Sequence, residues 1–158
     1  SYTAPPWFEN FNQQGTGHLW RVGNGGFSLR KVASFLRVLQ MNVPSGRFDP
    51  SNGFQPDYTQ ERRPEYFRTM ESSSSGSTFS SAEEASRLYP YHEDLFWSFE
   101  APKLDPEFLV CPARQALRFG FEVAPQRCFL LNWFRLPFGC HAWGRYDRAF
   151  WLGKVRKR

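Results

Sequence analysis

The feature that most constrains the fold is a change in composition in the middle of the chain, between residues 43 and 90. Proline, serine, glycine, asparagine and aspartate dominate this stretch, which includes the low-complexity segment ESSSSGSTFSSAEEAS. Such a composition is typical of a long loop or insertion. The 158 residues suffice for one domain with a real core. We therefore expect a single domain over residues 1–158, interrupted by a Ser/Pro-rich insertion at about 43–90.

A glycine-rich segment, VGNGGFSLRK, precedes the insertion. The residues before it, HLWRVG, predict a short strand that ends at the glycines. After it, LRKVASFLRVLQM predicts a helix with Ser28 as its N-cap. The predicted apolar face of this helix consists of Leu29, Val32, Phe35, Leu36 and Leu39. The glycines permit either a tight strand-to-helix turn or a loop whose backbone lies close to a ligand.

Further elements are predicted on the far side of the insertion. Within FSSAEEASRL, Ser81 stands three residues before Glu84, which predicts a short capped helix. EDLFWSFE predicts a helix with acidic residues in its first turn. Alternation over Phe119–Val123 predicts a strand closed by Pro125. Together these patterns predict an α/β fold, with a mixed sheet and flanking helices.

The charge and the cysteine content indicate which kinds of partner and of metal site the chain can have. A net charge of +5 favours an anionic partner, such as nucleic acid, a nucleotide or a membrane surface. The basic residues are scattered and no nucleic-acid-binding motif occurs, so we expect no nucleic-acid partner. No apolar run is long enough to span a bilayer. The three cysteines match no zinc pattern, and we expect free, mostly buried thiols. The alternative is a single disulfide, which would imply a lumenal or extracellular site.

Two further segments carry residues that can perform chemistry. The first segment is HED, residues 92–94. Glu93 and Asp94 either are charges that stabilise the start of a helix and nothing more, or include a general base. In PFGCHAWGRYDRAFW, His141 can be a structural residue or a metal ligand, and Trp143 can pack in the core or stack on a sugar. Each segment taken alone leaves both alternatives open.

The three motifs, taken in order, resemble a known family. GNGGFSLR, then Glu-Asp before an aromatic helix, then PFGCHAW are similar to the DUF5672 type of glycosyltransferase-like domain, from about His18 to Trp151. That type in turn resembles GT-A glycosyltransferases. Those enzymes also carry an earlier Asp-x-Asp motif for a divalent metal, and no Asp-x-Asp occurs here. The resemblance therefore implies a partial domain that lacks the N-terminal nucleotide-binding half.

The resemblance also implies roles for individual residues. Asp94 would be the catalytic base, and Glu93 would bind the acceptor or orient the site. His141 would be a ligand of Mn²⁺ or Mg²⁺. The donor and acceptor would contact Gly23, Asn24, Gly25, Gly26 and Trp143.

The expected function is glycosyl transfer from a nucleotide sugar to the hydroxyl of a glycan or another acceptor. This chain would supply the acceptor and catalytic-base side, and it would be inactive alone if the other half is required. The alternative is a degenerate, non-catalytic carbohydrate- or protein-binding domain of the same fold. The compartment depends on upstream sequence and is either the cytoplasm or the lumen of the secretory pathway.

Overall fold

The computed structural model describes residues 1–9, 14–43, 81–87, 89 and 92–155. It divides into two compact units. The terminal unit comprises Ser1–Arg30 and Leu109–Arg158, and the central unit comprises Lys31–Phe108. Most of the insertion predicted at 43–90 lies outside the described residues. Helices and strands both occur, which confirms the predicted mixed α/β class.

The strands and helices of the described residues are short. The strands are β1 (Tyr2–Thr3), β2 (Pro6–Phe8), β3 (Leu19–Val22), β4 (Leu29–Arg30), β5 (Gly120–Phe121) and β6 (Gly139–Cys140). The helices are α1 (Val32–Leu39), α2 (Ala82–Arg87), α3 (Glu93–Leu95), α4 (Ala101–Leu104), α5 (Ala113–Ala116), α6 (Pro125–Leu131) and α7 (Arg148–Val155). A π-helical segment, Phe96–Glu100, joins α3 to α4. The helix predicted over EDLFWSFE is thus confirmed, with a π-helical second half.

The strands of the terminal unit pair in twos. β1 and β4 are antiparallel, as are β2 and β3, whereas β5 and β6 are parallel. The described residues therefore form three two-stranded sheets rather than the one mixed sheet that we expected. The strand predicted before the glycines is confirmed as β3, which ends at the fully buried Val22.

The core of the terminal unit is aromatic. Phe8, Phe121 and Trp151 are buried in one cluster. The ring centroids of Phe121 and Trp151 lie 6.1 Å apart. The strand predicted over Phe119–Val123 is confirmed but shorter. Pro125 begins α6, because the first position of a helix needs no backbone N–H.

The helix after the glycine loop begins later than predicted. Its first residue is Val32, and its N-cap position is Lys31, which makes no side-chain capping bond. Ser28 is not the cap: its hydroxyl accepts a hydrogen bond from Arg30 Nε at 2.9 Å. The prediction was wrong because Leu29–Arg30 pair with β1 as a strand, and a strand residue cannot belong to the helix.

The buried face of α1 also differs from the predicted face. The buried residues are Ser34, Phe35 and Val38, whereas the predicted core residues Leu29, Val32 and Leu36 are exposed. Phe35 decides the rotation of the helix. Its ring lies 4.1 Å from that of Trp97 and 5.1 Å from that of Phe108, by centroids. These aromatic contacts, distant in sequence, override the periodicity of the helix alone.

Polar contacts of Ser81 and of Arg37 organise the central unit. The Ser81 hydroxyl accepts the backbone N–H of Glu84 at 3.2 Å, which confirms the predicted N-cap of α2. On α1, Arg37 donates to the buried carboxylate of Asp105 at 2.7 Å and forms an ion pair with Glu107 at 3.1 Å. The second contact ties α1 to the end of the helical stretch that carries Glu93 and Asp94.

Candidate functional site

Asn24 organises the glycine loop. Its side chain is buried, and its Oδ1 accepts the backbone N–H of Phe27 at 3.1 Å. Its own backbone N–H donates to the hydroxyl of Tyr2 at 3.2 Å. Asparagine commonly closes a turn in this way, by bonding to the backbone a few residues further on. The loop therefore has a defined shape, and the orientation of the Asn24 amide is fixed by its bond to Phe27.

The glycines of the loop serve different purposes. Gly23 is buried, and a Cβ atom placed on it would lie 1.9 Å from Cη2 of Trp7. The absence of a side chain at Gly23 thus allows Trp7 to pack against the backbone. Gly26 is exposed, and Gly25 is half-buried with its carbonyl accepting a hydrogen bond from Arg30. Only the second half of the loop faces outward, where a ligand can approach it.

Phe27 packs the glycine loop against the parallel strands β5 and β6. Its ring stacks on Phe119 with centroids 4.8 Å apart. A Cβ atom on Gly120 or Gly139 would approach the Phe27 ring to 3.0 Å and 2.5 Å. Glycine at both strand positions therefore makes room for Phe27. This packing brings the glycine loop to the edge of the sheet where His141 follows β6.

His141 is held through one ring nitrogen. Its Nδ1 lies 3.0 Å from Oε1 of Glu122 and 2.9 Å from Nδ2 of Asn24. The side chain of His141 is 36% exposed and that of Glu122 only 12%. The parallel register pairs Phe121 with Cys140, so the next residues, Glu122 and His141, leave the two strands side by side.

The two partners of Nδ1 demand different protonation states. A carboxylate only accepts, so the contact with Glu122 requires a proton on Nδ1, whereas the Asn24 amide would require a lone pair there. We assign the proton to Nδ1, because a hydrogen bond to a charged acceptor is roughly twice as strong as one between neutral groups. Asn24 Nδ2 then packs against the ring without a hydrogen bond to it. Nε2 is left with its lone pair as the chemically available atom of His141.

Nε2 faces the outward half of the glycine loop. A Cβ atom on Gly26 would lie 2.9 Å from it, so glycine at this position leaves space beside the nitrogen. The arrangement is a histidine oriented by a carboxylate, with its free nitrogen beside exposed backbone. Such a pair can accept a proton from a ligand or donate a lone pair to a metal ion.

A cleft of about 460 Å³ lies in the same unit. Gln14, Arg127, Tyr146 and Asp147 are among its lining residues, and none of the predicted site residues lines it. Burial, and secondarily the charge of Glu122, raise the pKa of the Tyr146 phenol above its ordinary value. The phenol therefore stays protonated at neutral pH and is available as a hydrogen-bond donor in the cleft.

Glu93 and Asp94 occupy the predicted position in the first turn of α3. Glu93 is exposed and Asp94 half-buried. These residues belong to the central unit, whereas Asn24, Gly26 and His141 belong to the terminal unit.

The remaining predicted residue, Trp143, is partly exposed. The guanidinium carbon of Arg148 lies 5.9 Å from the centroid of its ring. Trp151, the other tryptophan of this segment, is buried in the core. Of the two, Trp143 is therefore the one accessible for stacking on a ligand.

The described residues offer an incomplete metal site. Nε2 of His141 can supply one ligand. Within the described ranges, no group of three or more His, Cys, Asp or Glu side chains lies close enough together to hold a metal ion. In the same part of the chain, no helix is long and apolar enough to cross a membrane.

Comparisons with known proteins give one match. Neither the curated proteins nor the solved structures include one that matches the chain. A family model described as "Protein of unknown function (DUF5672)" matches residues 1–141, a range that contains the glycine loop, Glu122 and His141. Because this range covers most of the 158 residues, the chain belongs to the DUF5672 family.

Proposed function

We propose that this chain is part of a glycosyltransferase that moves a sugar from a nucleotide donor to an acceptor hydroxyl. The observation that carries the proposal is the contact between two of the three motifs. Asn24, in the glycine loop, and His141, in the PFGCHAW segment, are 117 residues apart in sequence, and their side chains lie 2.9 Å apart. Two of the three motifs on which the resemblance rests, the glycine loop and the PFGCHAW segment, are therefore neighbours in space.

The terminal unit has the properties of a ligand-binding edge. Gly25 and Gly26 present backbone without side chains, so a ligand can lie close to the loop. Nε2 of His141 offers a lone pair beside that backbone, and Glu122 holds the ring in place from behind. Trp143 offers an exposed aromatic face, a surface suited to packing against a sugar ring. These residues would bind and orient the substrates.

Asp94 would be the base. In the proposed reaction, the Asp94 carboxylate removes the proton of the acceptor hydroxyl as its oxygen bonds to the anomeric carbon. The bond from that carbon to the diphosphate oxygen breaks, and the nucleoside diphosphate leaves. General-base catalysis typically contributes about 10²–10⁴-fold to such a step. Glu93 would contact acceptor hydroxyls or orient the site.

A divalent cation such as Mn²⁺ or Mg²⁺ would neutralise charge on the donor diphosphate when bound. His141 would contribute one ligand through Nε2. The hydrogen bond from Nδ1–H to Glu122 fits this role, since carboxylates commonly orient metal-binding histidines in this way. The described residues do not supply the remaining ligands of such a cation.

Two substitutions test the proposal in a transfer assay on the longest natural product of the gene. Asp94→Asn should lower turnover by at least about 10²-fold. Glu83→Gln is a matched control, because Glu83 is an exposed carboxylate in the first turn of another helix, α2. It should leave turnover unchanged. Equal turnover in the two variants would remove Asp94 as the base.

The second candidate is a non-catalytic domain of the same fold that binds carbohydrate or protein. The incomplete metal site within the described residues favours it. If this candidate is correct, the protein should bind glycans without a nucleotide donor and should form no product. Donor-dependent product formation would refute it.

A further inference from the structure

A turn of the terminal unit exposes large apolar side chains. We call residues 130–138 the aromatic turn; it begins with the last two residues of α6 and leads into β6. Trp133 is 79% exposed and Phe138 is 83% exposed. Leu130 and Phe134 are also largely exposed. Single exposed apolar residues are ordinary on a protein surface, but several within one turn mark an interaction site.

Several polar groups of the aromatic turn are hydrogen-bonded within the turn or to the residue just before it. The N–H groups of Trp133 and Phe134 donate to the carbonyls of Leu130 and Phe129 at 3.1 Å and 2.8 Å. The side chain of the buried Asn132 donates to the carbonyl of Arg135 at 2.8 Å. These polar groups therefore already have partners in the protein, which lowers the cost of placing the turn in an apolar environment.

The conformation of the turn costs energy. Trp133 and Phe134 both have a φ of 57°, in the left-handed region. This region costs roughly 1–2 kcal/mol per residue for side chains other than glycine. The bonds of the turn hold both residues in this conformation, and both rings remain largely exposed. Strain of this kind at an exposed position is a common property of binding loops.

The charges around the aromatic turn are positive. Between Glu122 and Asp147 the sequence contains no acidic residue, whereas it contains Arg127, Arg135 and Arg145. Arg135 lies within the turn and is exposed. Arg118, also exposed, is attached to the turn through its carbonyl, which accepts the N–H of Phe138 at 2.9 Å. The surface thus combines aromatic side chains with cations.

We propose that the aromatic turn docks the terminal unit onto the surface of an anionic lipid bilayer. Trp133 and Phe138 would enter the interface between headgroups and acyl chains, where aromatic side chains are favoured. Arg118 and Arg135 would remain at the level of the lipid phosphates. The positive charge selects an anionic surface, and the hydrogen bonds of the turn lower the cost of shallow insertion.

Vesicle co-sedimentation of the full chain tests this surface. We expect binding to vesicles of phosphatidylcholine with about one third phosphatidylserine, and weak binding to pure phosphatidylcholine, because an anionic surface attracts basic groups. Trp133→Ser combined with Phe138→Ser should lower partitioning at least about tenfold. Leu109→Ser is the matched control, because Leu109 is an exposed apolar residue of the same unit outside the turn.

Three outcomes would overturn the proposal. The first is no binding to either vesicle. The second is equal binding by the double variant, which would assign the affinity to another basic region. The third is loss of a dimer in sedimentation velocity on the double substitution without any vesicle binding, which would make the turn a protein–protein contact. Circular dichroism of the double variant should match the unsubstituted chain, since both side chains are exposed.

Discussion

Replacing Gly23 with alanine would place a methyl group against the ring of Trp7. The new Cβ atom would lie 1.9, 2.3 and 2.6 Å from three carbons of that ring. Carbon atoms in contact normally lie about 3.5–4.0 Å apart, so the nearest ring atom must move by roughly 1.6 Å. Trp7 is buried in β2, where little free space can absorb such a movement. Overpacking of this kind costs about 1–3 kcal/mol, and we expect the upper end of that range.

Thermal unfolding followed by tryptophan fluorescence measures this cost. For a chain of this size a loss of 1 kcal/mol lowers Tm by about 2–4 °C, so Gly23→Ala should lower it by about 6–12 °C. Gly144→Ala is the control: its Cβ would meet no atom within 4 Å, and Tm should stay within about 2 °C. A Tm for Gly23→Ala equal to that of Gly144→Ala would refute the packing role of Gly23. The glycine would then have to be explained by a ligand.

Three further predictions follow from single contacts. Glu122→Gln should weaken the hydrogen bond that Nδ1–H of His141 donates, and should lower the free energy of unfolding in urea by about 1 kcal/mol. The proton of His141 should then shift between the two ring nitrogens, which ¹⁵N NMR detects. An unchanged tautomer would contradict our assignment of the proton to Nδ1. Burial raises the pKa of the Cys128 thiol from 9.0 to about 12. Because the unfolded thiol ionises first, stability should fall between pH 9.0 and 12, and Cys128→Ala should show a smaller fall in urea midpoint. Arg37→Ala leaves the buried Asp105 without its ion pair, and should cost about 1–3 kcal/mol in the same assay; a midpoint unchanged from the parent would contradict that role.

Local signals in the sequence were sufficient for several elements. The Ser81 cap, the strand before the glycines and the helix carrying Glu93 and Asp94 depend on neighbouring residues, and the structure confirms all three. The expected free thiols are also found: the three cysteines are unpaired, Cys128 being fully buried and the other two partly buried. For these three elements the sequence signal lies within a few residues, where periodicity and capping rules apply.

Contacts between distant segments were not predictable in this way. The pairing of β4 with β1 moved the start of α1 to Val32, although Ser28 has the composition of an N-cap. The partnership of Glu122 with His141 was missed for the same reason. It depends on β5 and β6 being parallel neighbours, and alternation shows only that Glu122 and Phe121 point in opposite directions. The available signal for this pair was that a carboxylate follows one short strand and a histidine follows another.

The proposed function depends most on His141, whose Nε2, beside Gly26, would be one ligand of the divalent cation that donor binding requires. Calorimetric titration of UDP and GDP with Mn²⁺ tests it most directly, using this chain, the longest natural product of its gene, and His141→Ala in that product. We predict binding of a nucleoside diphosphate to the natural product that requires Mn²⁺ and is at least about tenfold weaker in His141→Ala. If neither nucleotide binds to any of the three proteins, or if His141→Ala binds with the same affinity as the natural product, His141 is not part of a donor site. Either result would favour a non-catalytic binding domain.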